Sequence, residues 1–189
     1  MTRTIQGIPV SPGIAVGPTW VFQREQASIE RQQVVDPGAE KARLEAALAE
    51  ARTQLHGVHA RALESLGPED AAIFEAHLLF LKDPELLQNI HTVIDRQKLN
   101  AEAAVSDAID AYTQALLELE EPYFQARAQD VSDVGNRVIN CLSGIAADDS
   151  SQPAEAAIIV AEDLTPSDTM QFQRERILGI CTVRGGPTG

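Results

Sequence analysis

The chain has 189 residues, of which 44% are hydrophobic and 23% are charged. This composition is typical of a soluble globular protein with one or two domains. The formal net charge is -13, which argues against a basic phosphate-binding face and therefore against a nucleic-acid-binding protein. No apolar run is long enough to span a membrane, and Cys141 and Cys181 form neither a disulfide framework nor a metal-ligand pattern. We therefore expect no membrane insertion and a reducing, cytoplasmic location.

The first segment of the chain is predicted to contain two strands, residues 4–8 and 14–22, in which β-branched residues are frequent. The sequence Pro-Val-Ser-Pro-Gly at residues 9–13 separates them and is typical of a turn. The segment is therefore expected to contribute strands to a sheet.

The middle of the chain is predicted to be helical throughout, with five helices separated by breaks near residues 67, 84, 100 and 122. In the first helix, from Pro37 to about Leu66, apolar residues recur at spacings of four and three, which predicts a seam packed against another helix. The seam consists of Leu44, Leu48, Ala51, Leu55, Val58 and Ala62. The short links between helices predict antiparallel hairpins.

Most of the negative charge lies in this helical segment. Residues 36–146 carry 19 acidic and 9 basic side chains. A surface with this excess of carboxylates favours a partner that presents a basic patch.

The last segment is predicted to form a strand, a short helix and a second strand. Residues 157–161 and 177–183 are apolar runs with β-branched residues. Between them, Thr165 is a suitable helix cap, Pro166 suits the first helical position, and Asp168 suits the positive end of the helix dipole.

The strands at the two ends of the chain are expected to share one sheet, because neither pair could bury its faces alone. The predicted fold class is therefore α+β. An α/β subdomain of residues 1–35 and 147–189 is interrupted by an all-α subdomain of residues 36–146. Two consecutive independent domains are the alternative.

His77 is the histidine with the most informative surroundings, because it lies at the edge of an apolar helix face beside Phe74. One interpretation is a half-buried histidine at a helix interface. The other is that exposed Leu79 and Phe80 form a docking patch beside it. His56 and His59 lack neighbouring carboxylates at metal-ligand spacing, so no metal site is predicted.

The glycine-rich carboxyl end follows a predicted strand and contains Gly185, Gly186 and Thr188. Such a loop can present backbone N–H groups to a phosphate or an oxyanion. An unstructured terminus is the alternative.

Several stretches together resemble enzyme I of the bacterial phosphoenolpyruvate-dependent sugar phosphotransferase system, in its amino-terminal half. They are Ile-Pro-Val-Ser-Pro-Gly-Ile-Ala at residues 8–15, Ala-Ile-Phe-Glu-Ala-His at 72–77, Asp-Leu-Thr-Pro-Ser-Asp-Thr at 163–169, and Gly-Gly-Pro-Thr-Gly at 185–189. Their order and spacing cover nearly the whole chain.

The resemblance implies a phosphohistidine α/β subdomain that is interrupted by a helical subdomain of two hairpins. It also implies that the loop with Gly185, Gly186 and Thr188 supports a phospho-accepting histidine directly after Gly189, and that Thr169 hydrogen-bonds to this histidine. We expect the chain, as a truncated form without that histidine, to be inactive alone and monomeric. The sites for phosphoenolpyruvate and magnesium are expected in the carboxyl-terminal half of the parent enzyme, so no cofactor is expected in this chain.

In this family the helical subdomain binds the small phosphocarrier protein HPr, which receives the phosphoryl group. Carried across by position, the residues expected to face HPr are Glu69, Ile73, Phe74, His77, Leu79, Glu85 and Arg127. An acidic rim around an apolar centre suits a partner that presents arginine beside its own active histidine.

Two positions depart from the family pattern, since Pro68 and Gly189 stand where glutamate and serine are common. A fused multiphosphoryl transfer protein and a nitrogen-branch paralogue therefore remain alternatives. Two others are a non-catalytic helical interaction or regulatory module, and another phosphohistidine enzyme such as a pyruvate, phosphate dikinase.

Overall fold

The computed structural model describes residues 4–24, 27–119, 121–145 and 152–184. The chain divides into two compact units. The α/β unit comprises residues 1–24 and 149–189, and the helical unit comprises residues 25–148.

The helical unit contains the five helices that the sequence predicts. They are α1 (Pro37–Ser65), α2 (Pro68–Phe80), α3 (Pro84–Gln97), α4 (Ala101–Leu117) and α5 (Pro122–Leu142). Proline occupies the first turn of α1, α2, α3 and α5, where its missing N–H costs no helical hydrogen bond.

The long helix α1 begins at Asp36, whose Oδ1 accepts hydrogen bonds from the backbone N of Gly38 at 2.8 Å and of Ala39 at 3.2 Å. The predicted apolar seam of α1 is confirmed. Each of its side chains is at most 2% exposed. They are Leu44, Leu48, Ala51, Leu55, Val58 and Ala62.

Helices α4 and α5 approach each other closely at Gly135. A Cβ at this position would lie 2.5 Å from Cγ1 of Ile109, a distance that real Cβ atoms do not tolerate. Glycine is therefore required here by packing, because the helix backbone has to lie against the Ile109 side chain.

The α/β unit contains a three-stranded parallel sheet in the order β1 (Thr19–Val21), β2 (Ala157–Ala161) and β3 (Ile177–Thr182). The short helix α6 (Pro166–Thr169) and a 3₁₀ turn lie between β2 and β3 in sequence. The predicted strands at 157–161 and 177–183, and the short helix between them, are confirmed. The α+β fold class is confirmed with them.

A small aromatic core holds this sheet. Phe22 and Ile159 are buried, and Trp20 and Phe172 pack against them. Phe22 and Phe172 meet edge to face, with ring centroids 5.3 Å apart. Such a geometry adds to the free energy gained by burying the rings.

The prediction of two strands in the first segment was wrong for most of its length. Only Thr19–Val21 forms a strand, whereas residues 4–18 are exposed and lie outside the strand, although the Pro18 carbonyl accepts a hydrogen bond from the Ile158 backbone N at 2.8 Å. Ile14 and Val16 are 96% and 88% exposed. The β-branched pattern was present, but a strand also needs a neighbour to accept its hydrogen bonds.

The helical unit starts earlier than the predicted boundary at residue 36. Gln32 and Val34 form hydrogen bonds with residues just before the start of α4. Asn100 Oδ1 accepts from the Gln32 backbone N at 3.0 Å, and the Lys98 carbonyl accepts from the Val34 N at 2.7 Å. These hydrogen bonds, and the one from the Ala27 backbone N to Asn140 Oδ1 at 3.2 Å, place the segment from Ala27 onward with the helices.

Candidate partner-binding site

Helix α2 carries most of the predicted contact residues, and its start is set by a glycine and a proline. Gly67 adopts a φ of 98°, which side chains other than glycine rarely tolerate. Pro68 then opens the helix, and Glu69 and Asp70 lie in its first turn, where negative charge is stabilised by the helix dipole.

The structure separates the predicted contact residues of α2 into a buried set and an exposed set. Phe74 and His77 are only 1% and 2% exposed, because spacings of three and four place them on the face that packs inside the helical unit. Leu79 is 70% exposed, Glu69 is exposed, and Ile73 is half-buried. Phe74 and His77 therefore lie beneath the surface rather than on it.

The corner between α2 and α3 adds acidic groups to this surface. Asp83 caps α3 by accepting hydrogen bonds from the backbone N of Glu85 at 2.8 Å and of Leu86 at 3.1 Å. Glu85 is exposed in the first turn of α3. The capping therefore holds two carboxylates at one corner.

The carboxylates of this corner act on Tyr112 of α4. The ring of Tyr112 packs edge to face on Phe80, with centroids 5.6 Å apart. Burial, together with the negative charges of Asp83 and Glu85, raises the pKa of the Tyr112 hydroxyl above its ordinary value. Aromatic and acidic groups thus lie next to each other at this end of α2.

Arg127 on α5 is the predicted contact residue that comes from elsewhere in the sequence. Its Nη1 donates to Asp130 Oδ2 at 3.2 Å, its Nε donates to the Tyr123 hydroxyl at 3.4 Å, and its guanidinium carbon lies 5.3 Å from the centre of the Tyr123 ring. The hydrogen bond to Tyr123 raises the pKa of Arg127, so the guanidinium stays charged.

A cleft of about 170 Å³ lies between α2 and α5. Its lining consists of Ala76, His77, Phe80, Arg127, Asp130, Val131 and Val134. His77 forms part of the wall, and its Nε2 lies 3.6 Å from Asp130 Oδ1. His77 and Arg127, which lie 50 positions apart in the sequence, thus line the same cleft.

Two residues of this cluster were not predicted, namely Asp130 and Tyr123. The signal was available in the spacing, because Tyr123 and Asp130 lie four before and three after Arg127 and so share one helix face with it. Nothing in the sequence, however, indicated that α5 would bring Asp130 against His77.

The α/β unit holds the other predicted site residues that the structure describes. Thr165 and Asp168 form a capping box, with the Thr165 backbone N donating to Asp168 Oδ2 at 2.8 Å. Arg24 pairs with the same carboxylate. Exposed Thr169 donates its hydroxyl to the Pro166 carbonyl at 2.9 Å, and Gly185, Gly186 and Thr188 lie outside the described residues.

Among the described residues, no group of three or more His, Cys, Asp or Glu side chains is arranged to hold a metal ion. His59, one of the two histidines considered above, instead lies 3.4 Å from Glu75. Over the described ranges, no helix is long and apolar enough to cross a membrane.

Comparison with protein families gives two matches that run along the chain. Residues 6–127 match the family model described as "PEP-utilising enzyme, N-terminal", and residues 153–189 match "PEP-utilising enzyme, mobile domain". PEP here abbreviates phosphoenolpyruvate.

Curated relatives named phosphoenolpyruvate-protein phosphotransferase match nearly the whole chain. The protein from Geobacillus stearothermophilus is 41% identical over 98% of the chain, and that from Haemophilus influenzae is 40% identical over 97%. The Bacillus subtilis protein is 37% identical over 98%. The chain spans about a third of the length of these relatives.

Two solved structures share the fold. An NMR structure of enzyme I matches with a TM-score of 0.77 and 33% identity, over 96% of this chain and 74% of that one. The structure titled "N-terminal domain of Enzyme 1 - Nitrogen" matches with a TM-score of 0.67 and 25% identity, over 96% and 75%. The chain therefore belongs to the PEP-utilising enzyme family and is homologous to the amino-terminal domain of enzyme I.

Proposed function

We propose that the helical unit docks the phosphocarrier HPr, and that the chain serves a phosphoenolpyruvate-protein phosphotransferase of the enzyme I type. In such an enzyme the phosphoryl group passes from phosphoenolpyruvate to a histidine and then to HPr. The observation that carries the proposal is the surface of α2, where exposed Leu79 is accompanied by acidic side chains at both ends of the helix.

The chemistry of this surface fits a basic partner with an apolar centre. Glu69 at the start of α2 and Glu85 after its end supply negative charge, which speeds the encounter with a positive patch. Leu79 and half-buried Ile73 supply apolar area between them. Buried Phe74 and His77 support this surface from below, and Arg127 adds one cation beside the cleft.

The α/β unit is proposed to hold the phosphoryl-transfer residues of the enzyme. Thr169 is exposed at the end of α6, and its hydroxyl oxygen retains lone pairs that can accept a hydrogen bond from an imidazole N–H. The capping box and the pairing of Arg24 with Asp168 fix α6. By homology, the loop that contains Gly185, Gly186 and Thr188 is proposed to support the phospho-accepting histidine of the enzyme.

Magnesium and phosphoenolpyruvate are proposed to bind to the carboxyl-terminal half of enzyme I rather than to this part. The described residues offer no group of three or more His, Cys, Asp or Glu side chains that could hold the ion. A cytoplasmic location is proposed as well, because phosphoryl transfer to HPr is the proposed task of the enzyme. The two free cysteines suit the reducing conditions of that compartment.

A nitrogen-branch enzyme is the second candidate, because the amino-terminal domain of such an enzyme shares the fold. The sugar-system assignment is preferred, since the match to the other enzyme I structure has the higher TM-score, 0.77 against 0.67. The two candidates differ in the phosphocarrier that they bind.

Calorimetry with purified phosphocarriers tests the proposal. The chain is expected to bind HPr of the same organism more tightly than the nitrogen-branch carrier. Leu79→Ala should weaken this binding about tenfold or more, as for an interface anchor. Val35→Ala is the matched control, because Val35 is fully exposed and lies just before the start of α1 rather than on α2. This variant should leave the affinity unchanged. Absence of HPr binding by the folded chain would overturn the proposal.

A further inference from the structure

Asp130 contacts two groups of different kinds at the cleft. Its Oδ2 accepts a hydrogen bond from Arg127 at 3.2 Å, and its Oδ1 lies 3.6 Å from Nε2 of His77. The Asp130 side chain is 17% exposed, the Arg127 side chain is 39% exposed and the His77 side chain is 2% exposed. The carboxylate therefore lies between a surface cation and a buried imidazole.

Arg127 is fixed on two of its three guanidinium nitrogens. Nη1 is held by Asp130 and Nε by the Tyr123 hydroxyl, while the ring of Tyr123 lies beside the guanidinium plane. Nη2 makes no hydrogen bond to any described residue. One edge of the guanidinium thus remains available to an oxygen acceptor on a partner.

The buried imidazole of His77 lies beside the carboxylate of Asp130. Neither ring nitrogen of His77 has a hydrogen-bond partner within the described chain, and leaving such groups unpaired in the interior is unfavourable. From α5, the carboxylate of Asp130 lies 3.6 Å from Nε2 of this ring. From α1, His59 pairs with Glu75 and Arg52 donates to the Leu81 carbonyl.

An arginine that is already ordered loses less conformational freedom when a partner binds. Ordering a long side chain at an interface costs about 0.5–1.5 kcal/mol, whereas an ion pair three residues apart on a helix adds only about 0.2–0.5 kcal/mol to stability. The pairing of Arg127 with Asp130 is thus better suited to presenting the arginine than to stabilising the fold.

We propose that Asp130 is a positioning residue of the docking site, which holds Arg127 so that its Nη2 edge meets an oxygen acceptor on the phosphocarrier. The inference rests on the proposed function. It assigns the specific task of presenting Arg127 to a residue that does not itself need to touch the partner.

The first test uses the free chain and does not depend on any partner. Side-chain ¹⁵N relaxation of the Arg127 Nε–H group reports its order on the nanosecond timescale. The group should be ordered in the wild-type chain and mobile in Asp130→Asn. Equal mobility in the two proteins would overturn the proposal, whatever the outcome with HPr.

The second test is a double-mutant cycle for HPr binding. Asp130→Asn and Arg127→Gln should each weaken binding about threefold to tenfold, the range that corresponds to the cost of ordering one side chain. The double variant should be no weaker than Arg127→Gln alone, because Asp130 acts through Arg127. Additive losses would overturn the proposal.

Removing a carboxylate also lowers the negative charge of the helical unit, and two controls separate this effect from the positioning of Arg127. Asp110→Asn removes the same charge from an exposed position on α4. Measurements at about 1 M salt, where the Debye length is about 3 Å, suppress long-range attraction. The effect of Asp130→Asn should exceed that of Asp110→Asn and persist in salt. If the chain binds no HPr while Arg127 still depends on Asp130, the proposed function has failed and Asp130 has no docking role.

Discussion

Glu40 accepts a hydrogen bond from the backbone N of Ala101 at 2.8 Å, so a side chain of α1 caps the first residue of α4. The usual capping residue, Asn100, makes no side-chain cap within its own helix. Its amide instead holds the Gln32 backbone N and the Glu30 carbonyl. The start of α4 is therefore organised by residues far away in sequence.

Replacing Glu40 tests this capping across helices. Glu40→Ala should lower the free energy of unfolding by about 1–3 kcal/mol, the cost of leaving a buried N–H without its acceptor. Urea denaturation followed by circular dichroism measures the loss. Glu64→Ala on the same helix is exposed and should change stability by less than about 0.5 kcal/mol. Equal effects of the two variants would show that the cap contributes nothing.

The carboxylate of Glu102 predicts how stability depends on pH. Burial acts to raise its pKa, but hydrogen bonds from its own backbone, Arg43 and Asn100 outweigh burial, so the pKa lies below its ordinary value. A carboxyl group with a lowered pKa in the folded state stabilises the fold above its unfolded pKa and loses this contribution as the pH falls through the folded pKa. Stability should thus decrease below about pH 4.5.

The variant Glu102→Gln isolates this contribution. It should reduce the difference between the free energies of unfolding at pH 7 and pH 3, as measured by urea titration at each pH. Glu64→Gln serves as the control for an exposed carboxylate. An unchanged pH dependence in Glu102→Gln would contradict the assignment to this carboxyl group.

Two glycines within helices should respond in opposite directions to alanine. Gly135→Ala should destabilise the chain by about 1–3 kcal/mol, because the new Cβ would overlap the Ile109 side chain. At Gly57 a Cβ meets only the end of Arg61 at 3.9 Å, so Gly57→Ala should stabilise by about 0.5–1 kcal/mol. Thermal unfolding of both variants checks the signs, and Ile109→Ala should partly restore Gly135→Ala.

The helices could be predicted from the sequence because their signals are local. Proline marks the starts of α1, α2, α3 and α5, and the apolar spacing from Leu44 to Ala62 identifies the buried seam of α1. The strands were harder to predict, because residues 4–8 have the composition of a strand but pair with no strand in the part of the chain that the structure describes. The cap of Ala101 by Glu40 could not be predicted, since it depends on how distant helices pack.

The candidate site was only partly predictable for the same reason. Sequence reasoning assigned Phe74 and His77 to the contact surface, but the structure buries both. The contact of Asp130 with His77 follows from the packing of α5 against α2, and no local pattern encodes that contact. Exposed Leu79 and the acidic residues, in contrast, were visible in the sequence itself.

The two cysteines should differ in reactivity. Burial, followed by the charge of Glu50, raises the pKa of the Cys141 thiol, which lowers the fraction of reactive thiolate. Cys181 is exposed. A thiol-reactive disulfide reagent at pH 7 should therefore modify Cys181 first, and Cys181→Ser should remove the fast phase. A fast phase that survives in Cys181→Ser would contradict this ranking.

The acidic residues at the two ends of α2 should act mainly on the rate of association with HPr. Glu69→Gln and Glu85→Gln should each lower the association rate constant and weaken its dependence on salt, because rim charges steer the encounter. Stopped-flow fluorescence measures both effects. Glu162→Gln removes an exposed charge of the α/β unit and should have the smaller effect. A larger effect of Glu162→Gln would place the docking surface elsewhere.

The most direct measurement of the central claim is an ¹⁵N-HSQC titration of the chain with HPr from the same organism. The account predicts shifts that concentrate at residues 69–85 and around Arg127, with residues of β2 and β3 unaffected. A well-dispersed spectrum that does not change on addition of HPr, or changes confined to the α/β unit, would contradict docking at the surface of α2.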